Sequence, residues 1–126
     1  MKRYAGLAAI AALVLIFGAA GFAKLVNAAS FQEQFAHFGL PYWWIWVTGT
    51  VELLGCALIA LFKRLPRSLG AAMLATTMAV ATGLHLMHDP FALALPAFGL
   101  MLLAGYVAFI SHHEAAGAPP PLAAGA

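Results

Sequence analysis

Four apolar runs, at about residues 4–26, 42–62, 68–87 and 91–110, are divided by short polar stretches, and each is long enough to cross a bilayer as a helix. This pattern predicts an all-α integral membrane protein with four transmembrane helices in an antiparallel bundle over residues 1–110. A disordered cytoplasmic tail is expected at 111–126, where His112 and His113 lead into a Pro-rich end. Between the first two runs, Phe31, Phe35 and Phe38 recur at i, i+4 and i+7, with Gln32, Glu33 and His37 on the other face. That spacing predicts a short helix over about 31–38, either lying in the membrane interface or packed on the bundle as an ordered loop. Ser30 and Glu33 have capping-box spacing, and Gly39 suits the helix stop.

The later runs carry finer signals. The second opens on Tyr42, Trp43, Trp44 and Trp46, aromatic residues that favour the headgroup level, and closes on Lys63, Arg64 and Arg67. The third places Ala71, Ala75, Ala79 and Gly83 every four residues, a small-residue stripe that lets another helix approach closely, within the chain or between chains. His88, Asp89 and Pro90 then predict a tight turn with Asp89 as N-cap and Pro90 at the first helical position. Pro96 is expected to kink the fourth run or loosen its first turns.

Composition excludes the soluble alternative: 64% of the 126 residues are hydrophobic and only 8% are charged, against about 25% charged in ordinary globular domains. Lys2 and Arg3 ahead of the first run also fit a secretory signal peptide cleaved near Gly21, Phe22 and Ala23, but that run exceeds the usual signal core. The net charge of +2 gathers in clusters beside the apolar runs, which sets orientation and does not point to nucleic acid. Lys2, Arg3, Lys63, Arg64 and Arg67 fall on one side, and only Lys24 of the six basic residues lies near the other. Both termini are therefore expected in the cytoplasm, with the 31–38 segment and the Asp89 turn outside. The single Cys56 lies within an apolar run, so an internal disulfide or C-x-x-C pair is impossible.

An ionisable side chain within the bilayer costs at least ~2.5 kcal/mol at mid-depth, so each one requires a reason. Glu52 lies ten positions past Tyr42, about 15 Å along a helix and close to the bilayer centre. Thr48, Gly49, Gly55 and Cys56 surround it at i−4, i−3, i+3 and i+4, whereas Val47, Leu54 and Leu61 project the other way. Glu52 is thus expected to face the interior, either as a protonated side chain bonded across helices or as a proton or ligand site. Lys24 either snorkels to water from the end of the first span or bends inward to pair with Glu52. His85 and His88 share a helix face near the outer end. They fit a satisfied interfacial pair or a proton-transfer and ligand role, and no third ligand is in view for a metal. Lys24, Glu52, His85 and His37 all fall in the outward half.

The chain resembles the DoxX family of small bacterial membrane proteins over about Tyr4 to Ile110. The likeness rests on Gly21, Phe22, Ala23, Lys24 and Leu25 ending the first span, Phe35 to Pro41 leading into the second, and Val51, Glu52, Leu53, Leu54 and Gly55 within it. His85 late in the third span also fits. The family is similar to the small subunit of a thiosulfate:quinone oxidoreductase. The resemblance therefore implies a redox-linked subunit of the bacterial inner membrane, working with a partner redox subunit and touching a quinone. Glu52 and His85 are then the candidate catalytic residues, and Lys24, Glu52, His85 and His88 the candidate ligand-binding set, with no metal. Two rival readings remain: a non-catalytic membrane module that anchors or assembles a partner enzyme, and an exporter or permeability factor working as a homo-oligomer.

Overall fold

The computed structural model describes residues 2–117. Five helices follow one another: α1 (Lys2–Val26), α2 (Gln32–His37), α3 (Trp43–Leu61), α4 (Leu65–His88) and α5 (Leu95–Gly117), with 3-10 turns at Ala28–Phe31 and Phe91–Ala94. Among the described residues, four segments are long and apolar enough to span a membrane: Tyr4–Val26, Trp43–Leu61, Leu65–His88 and Phe91–Ala115. In the bundle, α1 packs on α3, α3 on α4 and α4 on α5, and α5 closes back on α1. The core is a column of Ala9, Leu13 and Phe17 from α1, Cys56 and Ile59 from α3, Ala71 and Leu74 from α4, and Ala104 and Val107 from α5. Leu54 and Leu61 point outward, as the spacing on the second run requires.

Glycine sets two of the helix crossings. A Cβ on Gly21 would stand 2.9 Å from the Gly49 carbonyl oxygen, and one on Gly70 would stand 2.7 Å from that of Gly55. These pairs draw α1 onto α3 and α3 onto α4 at backbone contact, where no larger side chain fits. The stripe in the third run is used only at one end: Ala71 is in the core and Ala75 packs against it, but Ala79 is exposed and a Cβ on Gly83 would meet nothing within 4 Å. Within this chain, the close approach on α4 therefore falls at Gly70.

Several boundaries differ from the sequence reading. The third span begins at Leu65 instead of about Ser68, because Pro66 falls in the first helical turn, where no amide hydrogen is needed. Arg67 turns back and donates from Nε to the Ile59 carbonyl at 2.9 Å, satisfying a free acceptor at the end of α3. The fourth span opens as a 3-10 turn, and Pro96 is the second residue of α5, so the loosened start replaces a mid-helix kink. Residues 111–117, expected in the tail, continue α5. Ser111 is buried at i+4 from Val107 and i+7 from Ala104, and His113 stacks on Phe109, so the packed face of the helix runs on past Ile110. The remainder of the expected tail, 118–126, lies outside the described residues.

The segment between α1 and α3 is an ordered element packed on the bundle. Phe35 is buried with Ala28 and Ile45, while Phe31, Leu40 and Trp44 pack around them. Gln32, Glu33 and His37 are exposed. The capping box does not form: α2 has no side-chain cap, and the Ser30 hydroxyl donates to the Asn27 carbonyl at 2.8 Å. A 3-10 turn at Ala28–Phe31 occupies the place where the cap would sit. Gly39 ends the helix as expected, at φ +76, with Leu40 N–H returning to the Phe35 carbonyl and Gly39 N–H to that of Ala36.

Candidate functional site

The Gly21–Gly49 crossing brings Lys24, one turn along α1, against α3. Its ammonium donates to Glu52 Oε2 at 3.2 Å and stands 3.0 Å from Oε1, so both carboxylate oxygens face one cation. The Phe31 ring lies beneath the same nitrogen, 5.0 Å from its centroid. Glu52 is 2% exposed and the Lys24 side chain 12%. The lysine thus turns inward, away from the snorkelling position at the end of its span, because the glycine contact leaves its stem lying along α3.

This ion pair borders a cavity of about 360 Å³ at the α2 end of the bundle. Phe35 and Phe38 of α2 cover it, Trp44, Thr48 and Glu52 come from α3, Thr77, Leu84 and His85 from α4, and Ala97 and Leu100 from α5. Thr48 and Thr77 donate to the carbonyls of Trp44 and Met73 in their own helices, which leaves hydroxyl lone pairs free to accept from a guest. Val47, Thr76 and Val80 also line the cavity and are exposed on membrane spans, so its mouth faces the lipid between α3 and α4.

Of the four candidate ligand-binding residues, Lys24, Glu52 and His85 meet around this one volume, and His88 does not. His88 is exposed and its Nδ1 bonds the Leu84 carbonyl at 3.0 Å, while its ring packs edge-on against Phe38. Both rings meet the Phe38 ring, as neighbours at i and i+3 on one helix face can, but only His85 borders the cavity.

Asp89 was expected to cap the following helix. It instead ends α4 in extended conformation, and its carboxylate joins two elements. Oδ1 shares a 2.7 Å hydrogen bond with His37 Nε2 of α2, and Oδ2 shares one of 2.7 Å with His85 Nδ1. Pro90 flanks the next turn without any side-chain cap. The His37–Asp89–His85 clamp and the edge-to-face contact of Phe38 with His85, 5.0 Å between centroids, hold α2 over the cavity. Sequence reasoning missed this role of Asp89. Its i,i+4 spacing from His85 was a usable signal, but the bond to His37 spans 52 positions and had none.

The hydrogen bond from His37 holds the Asp89 carboxyl below its ordinary range, partial burial opposes this, and the bond from His85 adds to the lowering. A group depressed on folding contributes stability that is fully present above its unfolded value, about 3.9, and lost as pH falls through the lower folded value. Hydrogen exchange in detergent should therefore show the Phe31–Leu40 segment losing protection as pH is lowered from about 5 toward 2. Asp89→Asn should remove most of this pH dependence. Equal acid loosening in both proteins would assign the effect elsewhere.

A family model described as a DoxX-like family matches residues 8–112. No curated protein matches the chain, and no solved structure does.

Proposed function

We propose, from the premise that the chain belongs to the DoxX-like family, that this multi-pass membrane protein is a redox-linked subunit whose cavity receives a quinone-like lipophile. One observation carries the reading: a Lys24–Glu52 pair set in the wall of a mainly apolar, lipid-facing cavity. A volume of about 360 Å³ falls in the range of small-molecule sites, which is roughly 300–1,000 Å³. Lys24 has ammonium hydrogens to offer a carbonyl oxygen, and Val47, Val51 and Leu84 supply apolar wall. Glu52 and His85 are the groups able to give or take the protons that accompany reduction of such a head. The chain would supply binding and proton handling, and a partner redox subunit the route for electrons.

Titration with a short-chain ubiquinone in detergent tests this through quenching of the Trp44 emission, since that indole lines the cavity. Saturable quenching is expected, and Glu52→Gln should weaken it by about 10–100-fold, the worth of hydrogen bonding to a charged group. Equal affinity in both proteins would favour the second reading, a non-catalytic anchor in which the pair only staples α1 to α3. That reading has its own support, because among the described residues no buried side-chain nitrogen or oxygen lacks a partner.

The sorting of basic residues supports a topology with both termini on the cytoplasmic side of a bacterial inner membrane and the cavity end of the bundle outward. A cysteine introduced at the exposed Gln34 should then react with an impermeant maleimide in intact spheroplasts. Labelling that occurs only after lysis reverses the topology.

A further inference from the structure

We infer that His85, Asp89 and His37 form a proton relay joining the cavity to the outer aqueous surface. The inference rests on the proposed binding of a hydroxyl-bearing or carbonyl-bearing head in the cavity, and it assigns work to two residues, Asp89 and His37, which that proposal leaves unused. Three features place the relay. His85 lines the cavity, and its Nδ1 is committed to Asp89, which leaves Nε2 as the nitrogen for a guest. Asp89 uses its two oxygens on different partners, each at 2.7 Å, so it connects the two imidazoles. The far member, His37, is 51% exposed and meets water, whereas the His85 side chain beside the cavity is 20% exposed. Asp89, between them, is 12% exposed.

The transfer balances without any oxidant. A guest hydroxyl gives its proton to His85 Nε2, and His85 gives the proton on Nδ1 to Asp89 Oδ2. With His37 in its doubly protonated form, its Nε2–H donating to Asp89 Oδ1, the proton gained at Oδ2 discharges the ion pair, and His37 releases the proton on Nδ1 to water. One proton enters and one leaves, and the guest oxygen keeps the electron pair, in the same cavity as the Lys24 ammonium. Run backward, the steps deliver a proton to a reduced guest. The groups facing Asp89 are His37 from α2 and His85 from α4. His88 stands 6.0 Å from the His37 ring and is bonded to Leu84, and Glu33 on α2 is exposed. Asp89 also explains itself in this way, since a clamp alone needs only one of its two bonds to reach α2.

A 4-alkyl-2-nitrophenol, whose colour reports loss of its hydroxyl proton, is the probe for the cavity of the full-length protein. Protein in detergent would be loaded with the probe, and its reprotonation followed after a flash-released proton. His37→Gln should slow the cavity-bound signal at least about tenfold while leaving probe affinity within about twofold, and Asp89→Asn should slow it by as much. Gln can still hydrogen-bond Asp89, so His37→Gln separates the relay from the clamp, and added imidazole should restore the rate in His37→Ala. Wild-type rates in His37→Gln, or no rescue by imidazole, would overturn the relay. If the probe does not bind the wild-type protein, the cavity reading itself fails, and that outcome removes the relay with it.

Discussion

Lys24→Met is expected to destabilise the bundle by about 3–5 kcal/mol, the largest single effect foreseen for this chain, because it leaves Glu52 buried with its paired cation removed. The carboxylate is 2% exposed, and both its oxygens face Lys24. Glu52→Gln should cost less, since the amide keeps the shape and its oxygen still accepts from Lys24. The double variant Lys24→Met, Glu52→Gln should cost clearly less than the sum of the two, because neither change then leaves a lone charge in low dielectric. Reversible unfolding in detergent measures all four corners of the cycle. Strictly additive losses would mean that the two groups do not interact, whatever their separation, and would return Lys24 to the interface.

Gly70→Ala is the second large effect, about 1–3 kcal/mol of destabilisation with weaker packing of α3 on α4. The added Cβ would lie 2.7 Å from the Gly55 carbonyl oxygen and 2.7 Å from the Leu58 Cβ. Neither atom is the far end of a flexible side chain, so the helices themselves must part. Gly83→Ala on the same helix should have the opposite sign. Its Cβ would meet nothing within 4 Å, and alanine is favoured over glycine in a helix by roughly 1 kcal/mol. If the two variants instead exchanged effects in a stability measurement, the stripe at Ala71 to Gly83 would be the functional interface, seated against another chain.

That pair of glycines shows where sequence reasoning stopped. The four spans were legible because bilayer thickness imposes a length on every apolar run, and Glu52 was legible as inward-facing because its neighbours at three and four positions are small. Which small residue sits at a crossing depends on where two axes meet, and periodicity along one helix cannot say. The pairing of Gly21 with Gly49 and of Gly55 with Gly70 was therefore not legible, although the first of these decides that Lys24 reaches Glu52. Asp89 was misread for a related reason. Its local context, ahead of a proline, satisfies the rule for an N-cap, but its carboxylate is claimed by His37 from an element 52 positions away. Ser30 had a local alternative of its own, the Asn27 carbonyl. The extension of α5 to Gly117 was missed because polar residues after an apolar run read as an end to the span, although they need not end the helix.

The mouth of the cavity between Val47, Thr76 and Val80 changes what concentration means for this protein. A guest that enters between α3 and α4 arrives by two-dimensional diffusion in the leaflet, already dehydrated by partitioning of its tail. Occupancy then follows mass action with its mole fraction in the bilayer. Diluting the buffer at a fixed protein-to-lipid ratio leaves the site as full as before, whereas fusing in empty lipid drains it. For a guest of the proposed kind the membrane would be the reservoir that sets the loading of the protein, and a modest intrinsic affinity would suffice to keep it charged.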